Sequence, residues 1–170
     1  MAIRKVTVKG DEILKKKCKP VKEVNEHITE IAKDMIDTMI SSDGVGLAAP
    51  QIGIMKKMFV ARPHLDNPEK IYIMINPEII SEEGTQESTE GCLSVPGYVG
   101  VVDRPEEVRL KAIDELGRMN EFVFSGFEAT VMSHEYDHLL GILYTDKARE
   151  MFTTKDYDEA LEKRKNGEDR

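Results

Sequence analysis

The sequence predicts an α+β fold in which a central helix packs against antiparallel β-sheets and further helices lie toward the two ends of the chain. Apolar residues between Asn25 and Ile40 recur at steps of three and one, which is the stripe of an amphipathic helix. Asn25 is suited to cap the first turn of that helix. Short segments rich in β-forming residues fill the middle of the chain, and a second stretch with helical spacing follows near Gly126. This order of elements leads to the α+β prediction.

The β-rich middle of the chain contains five strand candidates with many β-branched or aromatic residues. They cover residues 58–61, 71–75, 99–102, 108–113 and 122–124. A polar turn at residues 114–117 separates the last two candidates and is typical of a hairpin connection.

Two further helices are predicted in the last third of the chain. One begins near Gly126 and carries Phe127, Val131, His134 and His138 on one face, with Gly141 closing it. The other runs from Thr154 to about residue 165 and is polar. No repeat or linker interrupts the sequence, so we expect one domain over residues 1–165 and a frayed tail at residues 166–170.

Composition excludes several classes of function. The chain has 170 residues and a net charge of -8, which argues against a broad basic surface for binding phosphate backbones, so no direct nucleic-acid substrate is expected. No apolar run is long enough to span a bilayer, and the N-terminal residues lack the features of a signal peptide. Two cysteines are too few for a disulfide framework. We therefore expect a cytoplasmic protein without a membrane partner, whose thiols stay free.

A His-Glu-x-x-His pattern in the second predicted helix is the strongest functional signal. His134 and His138 are four residues apart, so they lie one turn apart on the same helix face and both imidazoles can reach one metal ion. Glu135 lies about 100° around the helix from His134, where its carboxylate can act as a general base beside the metal. The alternative interpretation is a pair of histidines on a solvated or hydrogen-bonded face.

A catalytic metal centre usually needs a third protein ligand, and two residues are candidates. Glu159 is the downstream acid at a plausible helical position. Cys92 lies upstream in Glu90-Gly91-Cys92-Leu93-Ser94-Val95-Pro96, where we expect a loop that can present a thiolate. An isolated cysteine is more often a small buried apolar residue, and Cys18 is interpreted in that way.

Three motifs together resemble the peptide deformylase family, in the family's order and at its usual separations. The motifs are Gly44-Val45-Gly46-Leu47-Ala48-Ala49-Pro50-Gln51, Glu90-Gly91-Cys92-Leu93-Ser94 and His134-Glu135-Tyr136-Asp137-His138-Leu139. Ser133 departs from the pattern, since the family commonly has glutamine before the first histidine. This departure removes no expected ligand.

The resemblance implies a function and a set of residue roles. Cys92, His134 and His138 would bind one divalent metal ion per chain, Fe(II) by resemblance, and the same ligands also suit Zn(II), Ni(II) or Co(II). Glu135 would transfer protons while water attacks a formyl carbon. The side chain of Gln51 and the backbone N–H of Leu93 would donate to the formyl oxygen. The expected substrates are N-formylmethionyl nascent peptides, from which the enzyme would release formate.

The resemblance also indicates where the substrate would bind. Gly44, Gly46 and Gly91 lie in the motif segments that would surround it. An apolar pocket for the methionine side chain is expected from Val45, Phe127 and Val131, although each could equally be core. Arg104 is a candidate to pair with Glu90 and brace the metal ligands, and a surface arginine is the alternative.

Other functions and partners remain as alternatives at this point. A metallo-endopeptidase would use Glu159 as its third ligand, and a non-catalytic binding module would fill every metal position with protein. Family members act on chains that emerge from the ribosome, so Lys163, Arg164 and Lys165 could make a transient ribosome contact. Acidic residues interleave with these cations, and a solvated helix end is the simpler interpretation.

Overall fold

Eight strands form two antiparallel sheets in the computed structural model, which describes residues 2–167. The strands are β1 (Gly46–Ala48), β2 (Met58–Ala61), β3 (Tyr72–Glu83), β4 (Gln86–Cys92), β5 (Val95–Arg104), β6 (Glu107–Ile113), β7 (Met119–Ser125) and β8 (Glu150–Thr153). The five-stranded sheet has the order β1-β2-β3-β6-β7, and the three-stranded sheet has the order β4-β5-β8.

Four α-helices accompany the sheets in this part of the chain: α1 (Glu26–Ser41), α2 (Phe127–Leu139), α3 (Tyr144–Lys147) and α4 (Thr154–Lys165). Short 3-10 helices cover Glu12–Lys15 and Ala49–Ile52. The side chain of Asn25 accepts a hydrogen bond from the backbone N–H of Ile28 at 3.1 Å, so the predicted N-cap of α1 is confirmed.

Helix α2 lies at the centre of the fold and contacts strands of both sheets, including β1, β2 and β7 of the larger sheet and β5 of the smaller one. Its residues Ala129, Val131 and Met132 are buried in a core cluster with apolar side chains of the larger sheet. Two antiparallel sheets around a central helix, with α1 and α4 on either side of it in the sequence, confirm the predicted α+β class.

The strand candidates are confirmed in place, but four of the five extend beyond their predicted bounds. Strand β3 continues to Glu83, although the sequence prediction ended it at Ile75. The register with β6 shifts between Ile75 and Glu78, and Asn76 has a φ of 48°. This irregularity and the polar residues beyond it conceal the strand, because they break the apolar alternation that marks a half-buried strand.

The prediction that Cys92 lies in a loop was wrong. Cys92 is the last residue of β4 and pairs with Val95 at the start of β5, so the connection is a tight hairpin through Leu93 and Ser94. Glu90 and Gly91 precede it in the same strand. The polar composition of β4 hid the strand from sequence reasoning, because Gln86–Cys92 shows no apolar alternation and is recognised as a strand only by its pairing with β5.

Both ends of α2 and α4 agree closely with the sequence predictions. Gly126 is the N-cap of α2 with a φ of 62°, and Gly141 follows the helix with a φ of 76°. Of the predicted frayed tail, residues 166–167 form a turn after α4, and residues 168–170 lie outside the described part of the chain. Among residues 2–167, none of the helices has the length and apolar character needed to cross a membrane.

Candidate metal centre and active-site cavity

Three side chains from two elements meet at the centre of the fold. His134 and His138 lie on successive turns of α2, with ring centroids 5.1 Å apart, and Cys92 is brought to them by the end of β4. The Sγ atom of Cys92 lies 3.4 Å from Nε2 of His138. The ligand atoms of the three residues all lie within 4.8 Å of one another, so this group could hold one metal ion.

Glu90 supports this group through His134. One carboxylate oxygen of Glu90 lies 2.8 Å from Nδ1 of His134, and the acceptor-only carboxylate requires the proton to sit on Nδ1. Nε2 of His134 is then left for a metal ion. Arg104 donates to both oxygens of Glu90, at 2.8 and 2.7 Å, which confirms the pairing considered from the sequence.

Asp137 extends this buried network, and sequence reasoning missed it. Arg104 donates from Nη1 to Asp137 at 2.6 Å, and Lys147 lies 2.9 Å from the same carboxylate oxygen. Asp137 is therefore joined to Glu90 through Arg104. The available signal was an acid inside the His-Glu-x-x-His pattern, three residues after His134 and hence on a neighbouring face of the helix.

The buried network shifts the pKa values of its carboxyl and imidazole groups in different directions. Burial raises the pKa of Glu90, but its hydrogen bonds to Arg104 and His134 outweigh burial and lower the pKa to about 2. Burial likewise opposes protonation of His134, but hydrogen bonds to Cys92 and Glu90 raise its pKa well above the ordinary value. Burial and the neighbouring His134 lower the pKa of His138. A metal ion would compete with protons for these ligands, so its binding is linked to pH.

Glu135 is the carboxylate best placed for proton transfer. It is 4% exposed, and its Oε1 atom is buried with no hydrogen-bond partner among residues 2–167. A Cβ atom added at Gly46 would lie 2.7 Å from Cδ of Glu135, so the glycine is needed for this close approach. Burial raises the pKa of Glu135 to about 7, which suits a group that must both accept and release a proton near neutral pH.

Gln51 lies beside the metal-ligand group with a fixed amide orientation. Its Oε1 atom accepts from the backbone N–H of Ala48 at 2.9 Å, which turns the Nε2 amide toward Ser94 Oγ at 3.0 Å and Cys92 Sγ at 3.6 Å. Gln51 is 1% exposed, so its side chain is held by the fold.

One cavity of about 420 Å³ opens onto this centre. It brings together most of the residues singled out from the sequence, which are Gly44, Val45, Gly46, Gln51, Gly91, Cys92, Leu93, Phe127, Val131, His134 and Glu135. Val45 and Val131 also belong to the apolar cluster below the cavity, whereas Phe127 is 47% exposed. Both the pocket and the core interpretation therefore describe part of what these apolar residues do.

The remaining candidates lie elsewhere. Glu159 is exposed on α4, outside the group of side chains that could hold a metal. Cys18 is buried in the apolar cluster, and burial raises the pKa of its thiol to about 11, as expected for an inert structural cysteine. Ser133 is buried, and its Oγ atom has no hydrogen-bond partner within residues 2–167, so it makes no hydrogen bond to the side chains that could hold a metal ion.

A buried carboxylate with a raised pKa, next to side chains that could hold a metal ion, places the protein among the metal-dependent hydrolases. The donor set of one thiolate and two imidazoles fits a divalent transition metal. The family follows from comparison with known proteins. Residues 3–153 match the family described as polypeptide deformylase, and the chain belongs to this family.

Individual relatives agree with this assignment. The chain is 49% identical over 148 residues to a peptide deformylase of Thermoanaerobacter pseudethanolicus, which covers 87% of this chain and 91% of that protein. The fold matches the crystal structure of peptide deformylase from Thermotoga maritima with a TM-score of 0.84, at 35% identity over 88% of this chain and 100% of that one.

A third comparison includes a peptide. The Met-Ala-Ser-bound class I type b peptide deformylase from Acinetobacter baumannii matches with a TM-score of 0.80 and 36% identity, over 86% of this chain and 98% of that one. The protein is therefore a hydrolase of N-formyl amide bonds, and the endopeptidase and binding-module alternatives are not favoured.

Proposed function

We propose that the substrates are N-formylmethionyl nascent peptides and that the products are formate and a peptide with a free amino terminus. The observation that carries this proposal is the cavity itself, in which an apolar wall of Val45, Phe127 and Val131 continues into the centre formed by His134 and Glu135. An apolar wall suits the methionine side chain, because a charged side chain would lose its hydration there. The Met-Ala-Ser peptide bound by the Acinetobacter relative has the same first residue.

Cys92, His134 and His138 are the proposed ligands of one divalent metal ion per chain. The donor set supports this role, and so does Glu90, which occupies Nδ1 of His134 and leaves Nε2 for coordination. Resemblance to the family favours Fe(II), and Zn(II), Ni(II) or Co(II) also suit these ligands. When bound, the ion would polarise the formyl oxygen and lower the pKa of water.

Glu135 is the proposed proton carrier. As a bond forms between the water oxygen and the formyl carbon, its carboxylate accepts the proton that water loses. The formyl C–N bond then breaks, and the same carboxyl group delivers the proton to the departing amine nitrogen. The buried position of Glu135 supports this cycle, because burial raises the pKa of its carboxyl group to about 7 in the metal-free protein and so favours proton uptake.

Gln51 and Leu93 are the proposed donors to the formyl oxygen, where negative charge develops during the attack. The amide of Gln51 is already oriented by Ala48 and Ser94, so little reorganisation is needed when the substrate binds. The backbone N–H of Leu93 would be the second donor, from the tight hairpin that follows Cys92. Gly44, Gly46 and Gly91 line the cavity in which the peptide backbone would lie.

Wider aspects of the proposal concern the whole chain. Residues 1–165 would form one catalytic domain that acts in the cytoplasm. A transient ribosome contact would use Lys163, Arg164 and Lys165 in the last turn of α4, which is exposed. Charge reversal at Lys163 and Lys165 would then weaken co-sedimentation with ribosomes without changing hydrolysis of a free peptide.

A single assay of formate and new amino termini tests the main proposal. Metal-loaded protein should release formate from formyl-Met-Ala-Ser while its peptide bonds stay intact. Acetyl-Met-Ala-Ser should be a poor substrate, because a tight site around Gly46, Gln51 and Leu93 penalises the extra methyl group. Cleavage of internal bonds without formate would instead support the endopeptidase, and the absence of any reaction with every metal would support the binding module.

A further inference from the structure

Arg62 holds the segment that carries the first motif. Its Nε atom donates to the carbonyl oxygen of Gly44 at 2.8 Å, and its backbone N–H donates to the carbonyl oxygen of Val45, also at 2.8 Å. The guanidinium lies 3.7 Å from the carboxylate of Asp43. The side chain of Arg62 is only 17% exposed, and it lies outside the set of cavity-lining residues. Arg62 therefore acts on the cavity through the backbone of residues 44 and 45.

The segment held by Arg62 has little freedom on its other side. A Cβ atom at Gly44 would come within 3.0 Å of the Leu93 side chain, and Gly46 packs directly against Glu135. Val45 lies between these two glycines and lines the cavity. A small displacement of this segment would therefore move the Val45 side chain relative to the rest of the pocket.

His64 makes a similar connection to another part of the same wall. Its Nδ1 atom lies 2.8 Å from the carboxylate of Glu128, and its Nε2 atom lies 2.7 Å from the hydroxyl of Tyr72 on β3. Glu128 is in the first turn of α2, next to Phe127, which lines the cavity. His64 thus ties the start of α2 to the larger sheet.

Arg62 and His64 are two residues apart, with the buried Pro63 between them. The proline ring fixes φ near -65°, so the two contacts are made from a stiff piece of backbone. One short segment after β2 therefore holds two parts of the cavity wall, the Val45 segment and the first turn of α2. Neither residue belongs to the three sequence motifs.

We propose that Arg62 and His64 are positioning residues that set the distance between the Val45 segment and the first turn of α2, and thereby the selectivity for the first side chain of the peptide. This inference rests on the proposed role of Val45, Phe127 and Val131 as the side-chain pocket. Long, flexible methionine would fill the pocket only when both parts of the wall are held in place, whereas alanine makes few contacts with either.

The test compares binding of two product peptides, Met-Ala-Ser and Ala-Ala-Ser, to metal-loaded protein by calorimetry. In Arg62→Met the Gly44 carbonyl loses its charged donor, so the preference for Met-Ala-Ser should fall by about tenfold. His64→Gln should reduce the preference in the same direction. Metal content should stay at the wild-type level in both variants. The double variant should lose less than the product of the two effects, because both act on one pocket.

Matched controls separate positioning from a general loss of stability. Arg109→Met removes an exposed arginine of β6 that pairs with Glu121, and His27→Gln removes an exposed histidine of α1. Both should leave the preference within about twofold of wild type. Arg62→Lys keeps the charge but loses the planar Nε donor, so it should shift the preference in the same direction as Arg62→Met. It replaces Arg62→Met in the test if that variant does not fold.

An unchanged preference for Met-Ala-Ser in Arg62→Lys and His64→Gln would overturn the inference. Equal weakening of the binding of both peptides would also overturn it. Formate release from formyl-Met-Ala-Ser and formyl-Ala-Ala-Ser gives a second measure, in which the ratio of kcat/KM values should fall with the binding preference. Wild-type protein that binds Met-Ala-Ser selectively but releases no formate would contradict the proposed function. The positioning role of Arg62 and His64 would then still be decided by comparing the Met-Ala-Ser to Ala-Ala-Ser binding ratio between wild type and the variants.

Discussion

The carboxylate of Glu90 lies 2.8 Å from Nδ1 of His134, and this contact determines which imidazole nitrogen is left for a metal ion. Glu90 is in turn held by two hydrogen bonds from Arg104, which also reaches Asp137 on α2. Strand β4 therefore contributes both Cys92 and the residue that orients His134. Through this contact, the charges of Glu90, Arg104 and Asp137 would influence how tightly the candidate centre binds a metal ion.

Glu90→Gln should weaken metal binding by about 10- to 100-fold, because a neutral amide orients the His134 ring less firmly than a carboxylate does. It also leaves Nε2 of His134 a weaker electron-pair donor to the metal ion. The measurement is competition with a chelator of known affinity. Glu87→Gln is the matched control, since Glu87 lies on the same strand and pairs with Arg149 at the surface. Equal affinities for the Glu90 variant and the control would remove Glu90 from this role.

The same pair should stabilise the metal-free fold against acid. The pKa of Glu90 is about 2 in the folded protein against an ordinary value of 4.5, so its contribution to stability is present above about pH 4.5 and is lost as the pH falls toward 2. A pKa shift of this size adds on the order of 3 kcal/mol to the free energy of unfolding. Urea unfolding with EDTA should show the gap between wild type and Glu90→Gln narrowing by that amount at low pH.

A control for the acid measurement is Glu121→Gln, which removes an exposed carboxylate of β7 that pairs with Arg109 at 3.4 Å. Its free energy of unfolding should differ little from wild type at any pH, because exposed ion pairs contribute little. A gap between wild type and Glu90→Gln that stays constant from pH 6 to pH 2.5 would contradict the linkage.

The two cysteines should behave differently toward metal and toward thiol reagents. Cys92→Ala should lose tightly bound metal, whereas Cys18→Ala should retain it, since Cys18 lies in the apolar cluster. With burial raising its pKa to about 11, Cys18 should be alkylated slowly by iodoacetamide at pH 8. Metal loading should protect Cys92 alone. A full equivalent of tightly bound metal in Cys92→Ala would show that the ligand set is wrong.

Glu135→Gln should keep its metal and lose at least about 100-fold in kcat, because the amide preserves the shape of the side chain but cannot accept a proton. Formate release and metal content, measured on the same preparation, separate this effect from loss of the metal. Glu121→Gln is the matched control, since it removes an exposed carboxylate of β7 that lies outside the cavity lining. Wild-type turnover in Glu135→Gln would exclude Glu135 as the proton carrier.

Gly46→Ala should also lower kcat without releasing the metal. The new methyl group would lie 2.7 Å from Cδ and 2.8 Å from Cγ of Glu135, so the carboxylate must move. A displacement of about 1 Å at a reacting group can reduce the rate by about 100-fold. The measurement is kcat for formate release alongside metal content. An unchanged kcat would contradict the prediction, because it would show that catalysis does not depend on the exact position of the Glu135 carboxylate.

Local sequence determined the helices and the placement of His134 and His138 on one helix face. Asn25 caps α1 as predicted, and α4 spans Thr154–Lys165 within the predicted range. His134 and His138 share a helix face because residues four apart are neighbours in any α-helix, whatever surrounds it. These features depend on spacing, caps and periodicity, which are properties of short segments.

Tertiary structure decided the remaining features of the site. Cys92 reaches the histidines because β4 pairs with β5 and packs near α2, and no periodicity in the polar sequence of β4 reports that pairing. The contacts of Arg62 with Gly44, and of His64 with Glu128, join residues 18 and 64 positions apart. Such contacts follow from how sheets and helices assemble, because side chains distant in sequence meet only after long-range strand pairing and burial have fixed their positions.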